Sequence, residues 1–295
     1  MTRRASVIVL AAALGALAAA VPAAGQGIDL SQLDSIVQQA TNELAVQINL
    51  SGRQRMLTQK MSKEAMLLAL GVSPQETRRK LKGTMALFER TLIGLMRGDR
   101  EQKLPPTTDA AILKQLNKVM ALWRQFKPLM TAVVSGLADR SMLEEIARAN
   151  LPLLAEMNKA VKMYERASGA DTAELAVVIN LAGRQRMLTQ KMAKEYLLVA
   201  LGIEPKTNQA SLKRTMALFE RTLKGLLDGD PEQELPGTKD PAIRAQLNKV
   251  MKLWEQYRPM LQKPPKQADF AALEDMSLKI LAEMNRAVKM YEESW

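Results

Sequence analysis

Histidine and cysteine are both absent from the 295 residues of this chain. Without cysteine the protein can form no disulfide, iron–sulfur cluster or thiolate zinc site, and it has no cysteine nucleophile. Without histidine it lacks the commonest metal ligand and general base, so Ser-His-Asp catalysis is excluded. These absences predict a non-enzymatic protein with no catalytic residues, no metal site and no cofactor.

The N-terminus has the three-part pattern of a secretory signal. A start with two arginines precedes an apolar run from Val7 to Ala20, which is followed by Pro22 and small residues. A membrane anchor is the alternative, but the run is short for a full span. We therefore assign residues 1–25 to a signal peptide cleaved between positions 23 and 26, and expect the mature protein in the periplasm. No later stretch is long and apolar enough to cross a bilayer.

Charge of one sign is in excess, since 42 Lys and Arg against 31 Asp and Glu give a net charge of +11. A basic surface suits nucleic acids, anionic lipids or small anions. Aromatic residues make up only 4%, which leaves few platforms for stacking bases. Because the chain is also predicted to be exported, nucleic acid is not an expected partner.

The chain contains one unit written twice. INLSGRQRMLTQKM begins at Ile48 and INLAGRQRMLTQKM begins at Ile179, an offset of 131 residues that TMALFERTL and LNKVM repeat. The last shared motif, LAEMN, is offset by 127, so the second copy lacks four residues near Gln262–Gln267. A unit of about 130 residues is too long for a solenoid repeat. We expect two domains, 27–168 and 169–295.

Each copy is predicted to contain four amphipathic helices with short connections, because apolar residues recur at helical spacing and strand-like alternation is nearly absent. The predicted helices lie at about 30–70, 74–97, 109–127 and 141–167 in the first copy and at about 172–201, 209–227, 240–258 and 269–293 in the second. The fold class is therefore all-α, with two tandem up-down four-helix bundles. Gly71 and Gly202 are expected to end the first helix of each copy.

The first helix of each copy presents a face of small residues with a charge and an amide in its middle. That face carries Ile48, Gly52, Arg55, Gln59, Ser62 and Met66 in one copy, and Ile179, Gly183, Arg186, Gln190, Ala193 and Leu197 in the other. Small residues let a second helix approach closely, and an arginine there would be desolvated unless an anion or carboxylate pairs with it. Two interpretations follow. The face is either an anion site at a helix–helix contact, or it holds an internal bridge from the arginine to a glutamate or a carbonyl, with Glu64, Glu89 or a helix end as the partner.

A third face of the same helix is mostly basic, and we expect it to be solvated. It carries Asn49, Arg53, Met56, Lys60 and Lys63. Lys60 and Glu64 are spaced for an ordinary ion pair four residues apart. Elsewhere, asparagines recur at matching mid-helix positions, Asn117 with Asn248 and Asn158 with Asn285. They are compatible with hydrogen bonds across the bundle, with exposure, or with contact to a ligand.

The segments INLSGRQRMLTQKMSKE and INLAGRQRMLTQKMAKE resemble the first helix of PilJ-type sensor domains, the extracytoplasmic input modules of type IV pilus chemotaxis transducers. They are also similar to the nitrate-binding segment of NarX-type nitrate/nitrite sensor kinases. The resemblance implies four-helix bundles in which two first helices pair and an arginine binds the anion. Alignment on Gly-x-x-Arg-Met carries that arginine onto Arg55 and Arg186. A second basic position falls on Lys60 and Lys191, where the nitrate sensors have arginine.

The sequence therefore predicts a periplasmic binding or sensing protein for a small anion such as nitrate or nitrite. The predicted ligand-binding residues are Arg55, Arg186, Gln59, Gln190, Gly52, Gly183, Lys60 and Lys191. No transmembrane helix, kinase or methyl-accepting coiled coil follows the second copy, so we expect it to act with a membrane sensor or a pilus protein. The alternative is a protein–protein interaction module of the envelope with no small ligand. Pairing within one chain and pairing in a homodimer both remain open.

Overall fold

The computed structural model describes residues 30–169 and 172–294, with side chains from residue 38 onward. The signal peptide predicted at 1–25 lies outside these described residues. Within them the chain forms eight α-helices, which confirms the all-α prediction. They are α1 (Leu30–Ala69), α2 (Pro74–Arg97), α3 (Ala110–Val134), α4 (Arg140–Ala167), α5 (Ala173–Ala200), α6 (Pro205–Asp228), α7 (Pro241–Gln262) and α8 (Phe270–Glu293).

Local sequence signals set most of the helix ends. Gly71 and Gly202 have φ of 71° and 67°, the left-handed conformation that glycine adopts at no steric cost after a helix. Asp109 and Asp240 cap α3 and α7, each accepting hydrogen bonds from two backbone N–H groups of the first turn. These four positions behave as the sequence predicts.

The third helix of each copy is longer than predicted. It was expected to end before a proline, but α3 continues through Pro128 to Val134, and α7 continues through Pro259 to Gln262. Both prolines are exposed, so the carbonyl that each leaves without a partner one turn earlier faces water. Helix α6 also begins at Pro205 instead of Gln209, since proline suits the first helical turn.

Each half of the chain is a bundle, and the two bundles are joined through their first helices. In the first half α1 packs on α2 and α4, and α3 on α4; in the second half α5 packs on α6 and α8, and α7 on α8. The most extensive contact of all is between α1 and α5, supplemented by α4 on α5 and α8 on α1. The copies thus pair within one chain.

Hydrogen bonds between α1 and α5 show that the two helices run parallel. The bonded pairs 55–180, 59–194 and 49–186 are separated by 125, 135 and 137 residues. These separations scatter around the repeat offset of 131, as expected when equivalent positions of two parallel helices face each other. The same face of each copy is therefore buried against its counterpart. Of the described helices, none is long and apolar enough to span a membrane.

Candidate anion-binding site between the first helices of the two halves

Two arginines meet in the interior of the α1–α5 contact. Arg55 is 1% exposed and Arg186 is 3% exposed. A Cβ built on Gly52 would lie 3.4 Å from Nη2 of Arg55 and 3.6 Å from Nη2 of Arg186, and one on Gly183 would lie 3.2 Å and 3.8 Å from Nη2 of Arg186 and Arg55. Both guanidinium groups therefore occupy the space that the two glycines leave open.

Each guanidinium is held by neutral oxygens from both halves of the chain. Nη1 donates to an asparagine side chain on the fourth helix of its own half, and Nη2 donates to a backbone carbonyl on the first helix of the other half. The bonds are Arg55 to Asn158 Oδ1 (2.8 Å) and Asn180 O (3.1 Å), and Arg186 to Asn285 Oδ1 (3.4 Å) and Asn49 O (3.1 Å).

Neither arginine forms an ion pair with any residue in the described part of the chain. Nε of Arg55 and Nε of Arg186 are also buried without a hydrogen-bond partner there. The pKa of each arginine is lowered to about 9, mainly by burial and then by neighbouring arginines, while Glu165 opposes the shift of Arg55 and Glu292 that of Arg186. Two buried cations facing each other without a bonded counter-charge are unfavourable, so the site is suited to an anion.

The nearby carboxylates bond to asparagines instead of to the arginines. Glu165 accepts from Nδ2 of Asn180, and Glu292 accepts from Nδ2 of Asn49. Each of these asparagines therefore contacts a carboxylate with its side chain and an arginine with its carbonyl.

The carboxylates proposed for an internal arginine bridge are engaged elsewhere. Glu64 pairs with Lys60, as its spacing predicts, and Glu89 pairs with Lys127. The interpretation that the arginines bridge to Glu64 or Glu89 is therefore wrong. The other form of that interpretation, a bridge from each arginine to a backbone carbonyl, is present.

The two glutamines of the predicted site bond to residues other than the arginines, and Gln59 meets a different cation, Lys194. Gln59 donates from Nε2 to Asn150 Oδ1 (2.8 Å) and accepts from Nζ of Lys194 (2.8 Å). Gln190 donates to the carbonyl of Ser277 (3.4 Å) and leaves its Oε1 unpartnered. Within the described residues neither glutamine is hydrogen-bonded to Arg55 or Arg186, so the glutamines do not hold the arginines.

The third face of α1 is not solvated, contrary to expectation. Lys63 is 0% exposed and lies against α8, and Met56 is also buried. Arg53 donates to Thr91 (2.9 Å), and Lys60 donates to Thr84 (2.8 Å), both on α2. The face is covered because α1 contacts α2, α4, α5 and α8 at once.

The two lysines of the predicted site are directed away from the arginines. Lys60 pairs with Glu64, and Lys191 pairs with Glu195 and donates to Thr215 (2.8 Å). Both ammonium groups thus bond on the side of the second helix of their half. The structure brings together the two arginines and two glycines of the predicted set, and it adds the asparagines that hold the arginines.

The described part of the chain is thus an all-α pair of bundles with two buried arginines at the contact of their first helices. The profile of the PilJ family, described as the type IV pili methyl-accepting chemotaxis transducer N-terminus, matches residues 36–149 and 172–278. The chain belongs to this family, whose members are sensor domains. One matched segment falls in each predicted copy, although the domain boundaries at 27–168 and 169–295 stay predictions.

Two relatives from Pseudomonas aeruginosa share part of their length with the chain. The methyl-accepting chemotaxis protein McpN is 39% identical over 116 residues, which cover 38% of this chain and 21% of McpN. Protein PilJ is 26% identical over 209 residues, covering 70% of this chain and 30% of PilJ. The chain thus spans less than a third of either relative. A solved ligand-binding domain of the P. aeruginosa nitrate receptor McpN aligns at 38% identity over 39% of this chain and 92% of that domain, with a TM-score of 0.35.

Proposed function

We propose that this chain is an exported sensor or binding protein for a small planar oxyanion such as nitrate or nitrite, held between Arg55 and Arg186. The observation that carries the proposal is the pair of buried guanidinium groups that face each other without a bonded carboxylate. A carboxylate would already satisfy such a site. Neutral oxygens leave two positive charges for an incoming anion to neutralise.

The chemistry of the site favours a trigonal anion. A guanidinium is planar and presents its N–H donors in a rigid array that matches planar oxyanions. The unpartnered Nε of each arginine is a donor available without breaking an existing bond. The Nη2 bonds to the carbonyls of Asn49 and Asn180 are neutral contacts, weaker than a bond to an anion. Gly52 and Gly183 leave the room between the helices that the two guanidinium groups occupy.

The relatives support nitrate or a similar anion as the ligand, and a membrane sensor or pilus protein as the partner. McpN is named a nitrate receptor, and the similarity of this chain to it reaches 39% identity over 116 residues. Because the family consists of transducer N-terminal domains, we infer that a membrane sensor or a pilus protein reads the bound state. An envelope interaction module without a small ligand is the alternative.

The proposal is tested by calorimetric titration of the chain with nitrate, nitrite, chloride and sulfate, together with thermal melting in each. We expect nitrate or nitrite to bind with one anion per chain and to raise the melting temperature. Arg55→Ala with Arg186→Ala should abolish measurable binding, because each lost charge-assisted contact costs about 1.5–3 kcal/mol. Single Arg→Lys variants should bind more weakly, since an ammonium cannot form the paired bonds.

A control variant removes two arginines from the surface. Arg79→Ala with Arg148→Ala changes the net charge by the same amount at exposed positions, and it should bind as the parent does. Helical circular dichroism checks that all variants fold. A parent that responds to none of these anions would contradict the proposal and favour the interaction module. Equal binding by the Arg55/Arg186 variant would place the anion elsewhere.

A further inference from the structure

Asn158 and Asn285 hold the outer nitrogens of the two arginines at the edge of the buried site. Their side-chain oxygens accept from Nη1 of Arg55 (2.8 Å) and Nη1 of Arg186 (3.4 Å). Asn158 is half-buried and Asn285 is exposed, so both lie between a buried cation and solvent. The two asparagines occupy equivalent positions on α4 and α8, because the offset of that motif is 127 residues.

The amide is an unusual partner for a buried guanidinium. A desolvated arginine is ordinarily paired with a carboxylate, which cancels its charge. An asparagine has the same shape as aspartate and offers a similarly placed oxygen, but it contributes no charge. It therefore fixes the orientation of the guanidinium while leaving the positive charge in place. The carboxylates Glu165 and Glu292, which are near enough to raise the pKa of the arginines, bond to other asparagines.

We propose that Asn158 and Asn285 are positioning residues that determine the affinity of the site for its anion, because their neutral side chains orient Arg55 and Arg186 without competing as counter-ions. This inference rests on the proposed function. It gives the fourth helix of each half a part in anion binding, because that helix supplies the side chain that orients the arginine of the first helix. The shorter bond and greater burial make Asn158 the more important of the two.

The test converts each amide into a carboxylate of the same shape. Asn158→Asp with Asn285→Asp should weaken nitrate binding about 10- to 100-fold, since an internal counter-ion now competes with the ligand. The same change should raise the melting temperature of the anion-free protein by about 2–4 °C, because each arginine gains an ion pair. The single variant Asn158→Asp should lose more affinity than Asn285→Asp.

Two further variants separate positioning from general effects. Asn117→Asp with Asn248→Asp adds the same two negative charges at exposed positions of α3 and α7, and it should leave nitrate affinity within about twofold of the parent. Asn158→Ala with Asn285→Ala removes the acceptor without adding charge, and it should lower both affinity and melting temperature. A merely structural role predicts that affinity and melting temperature fall together in every variant.

The outcomes distinguish this inference from the proposed function. If the parent binds nitrate and the Asn158/Asn285 aspartate variant binds it as tightly as the Asn117/Asn248 control does, the positioning role is wrong and the anion site stands. If the parent itself does not bind nitrate, nitrite or another anion of the panel, both proposals fail. Opposite signs of the two effects, weaker binding with higher stability, would support the inference.

Discussion

The two halves of the chain bury equivalent lysines of their first helices, Lys63 and Lys194, yet only Lys63 forms an ion pair with a carboxylate in the described part of the chain. Lys63 lies 2.5 Å from Glu274 on α8 and also donates to Ser277 (3.2 Å). Lys194 instead donates to Gln59 (2.8 Å) and Asn150 (3.0 Å), which are neutral. Both lysines are almost fully buried, at 0% and 3% exposure.

The difference comes from two positions on the fourth helices. By the 127-residue offset, Ser277 corresponds to Asn150 and Glu274 corresponds to Ala147. Burial therefore lowers the pKa of Lys194 to about 8, and the charge of Glu195 only partly opposes the shift. Arg55 and Arg186 therefore have equivalent partners in the two halves, whereas Lys63 and Lys194 do not. The comparison shows that two copies of one helix sequence can have different charge environments, because the residues that pair with each lysine lie on other helices.

Among substitutions at these buried lysines and their partners, Lys63→Met should lower the free energy of unfolding the most. The substitution removes the close ion-pair partner of Glu274 and leaves only Lys80, whose Nζ lies 4.0 Å from Oε1. Because orphaning a buried charge outright costs about 3–5 kcal/mol, we expect a loss toward the lower end of that range. Urea denaturation measures the loss in the free energy of unfolding. The matched control is Lys63→Met with Glu274→Met, which removes both charges and should recover most of the stability. If the single variant is as stable as the parent, the Lys63–Glu274 pair contributes nothing to folding.

Lys194→Met should change the pH dependence of stability. The pKa of Lys194 is about 8 in the folded chain against an ordinary value of 10.5, so the unfolded chain binds more protons between these values. The free energy of unfolding of the parent therefore rises with pH across this window, by on the order of 2–3 kcal/mol from this group. In the variant that rise should be missing. Denaturation of both proteins at pH 7.5 and pH 10 gives the difference, and parallel curves would contradict the assignment.

Ala147→Glu should make the first half resemble the second. It supplies a carboxylate at the position equivalent to Glu274, and the ion pair should raise the pKa of Lys194 toward its ordinary value. We expect a gain of only about 1 kcal/mol at pH 7, because the new carboxylate must itself be desolvated. The pH-dependent rise seen in the parent should shrink as well. Lower stability at pH 7 together with an unchanged pH dependence would show that position 147 does not face Lys194.

Helix identity and helix ends were predictable wherever one local signal acts alone. The capping aspartates and the glycines after α1 and α5 function within a few residues of their own position, so the sequence reveals them. The passage of α3 through Pro128 was not predictable in the same way. Whether a proline ends a helix depends on whether water or protein faces the carbonyl one turn earlier, which is a property of the whole bundle.

The arginines of the candidate site were predictable, but their surroundings were not. Arg55 and Arg186 stand out because small residues flank them on one face of a helix. The burial of Lys63 was missed because a basic face is normally solvated. The buried apolar residues Met56, Leu57, Ala65 and Met66 in fact lie all round this helix, which is typical of a buried one. The pairing of Asn158 with Arg55 joins residues 103 apart, and no local pattern encodes such a contact.

The short connection between α4 and α5 has a consequence for how the protein behaves on dilution. Only residues 168–172 separate the end of α4 at Ala167 from the start of α5 at Ala173. A tether of this length keeps the two bundles at an effective concentration in roughly the millimolar range. A site assembled from separate chains would come apart once the protein concentration fell below the dissociation constant of the dimer. Here both arginines stay together at any dilution, so the apparent affinity for a ligand should not depend on how much protein is present.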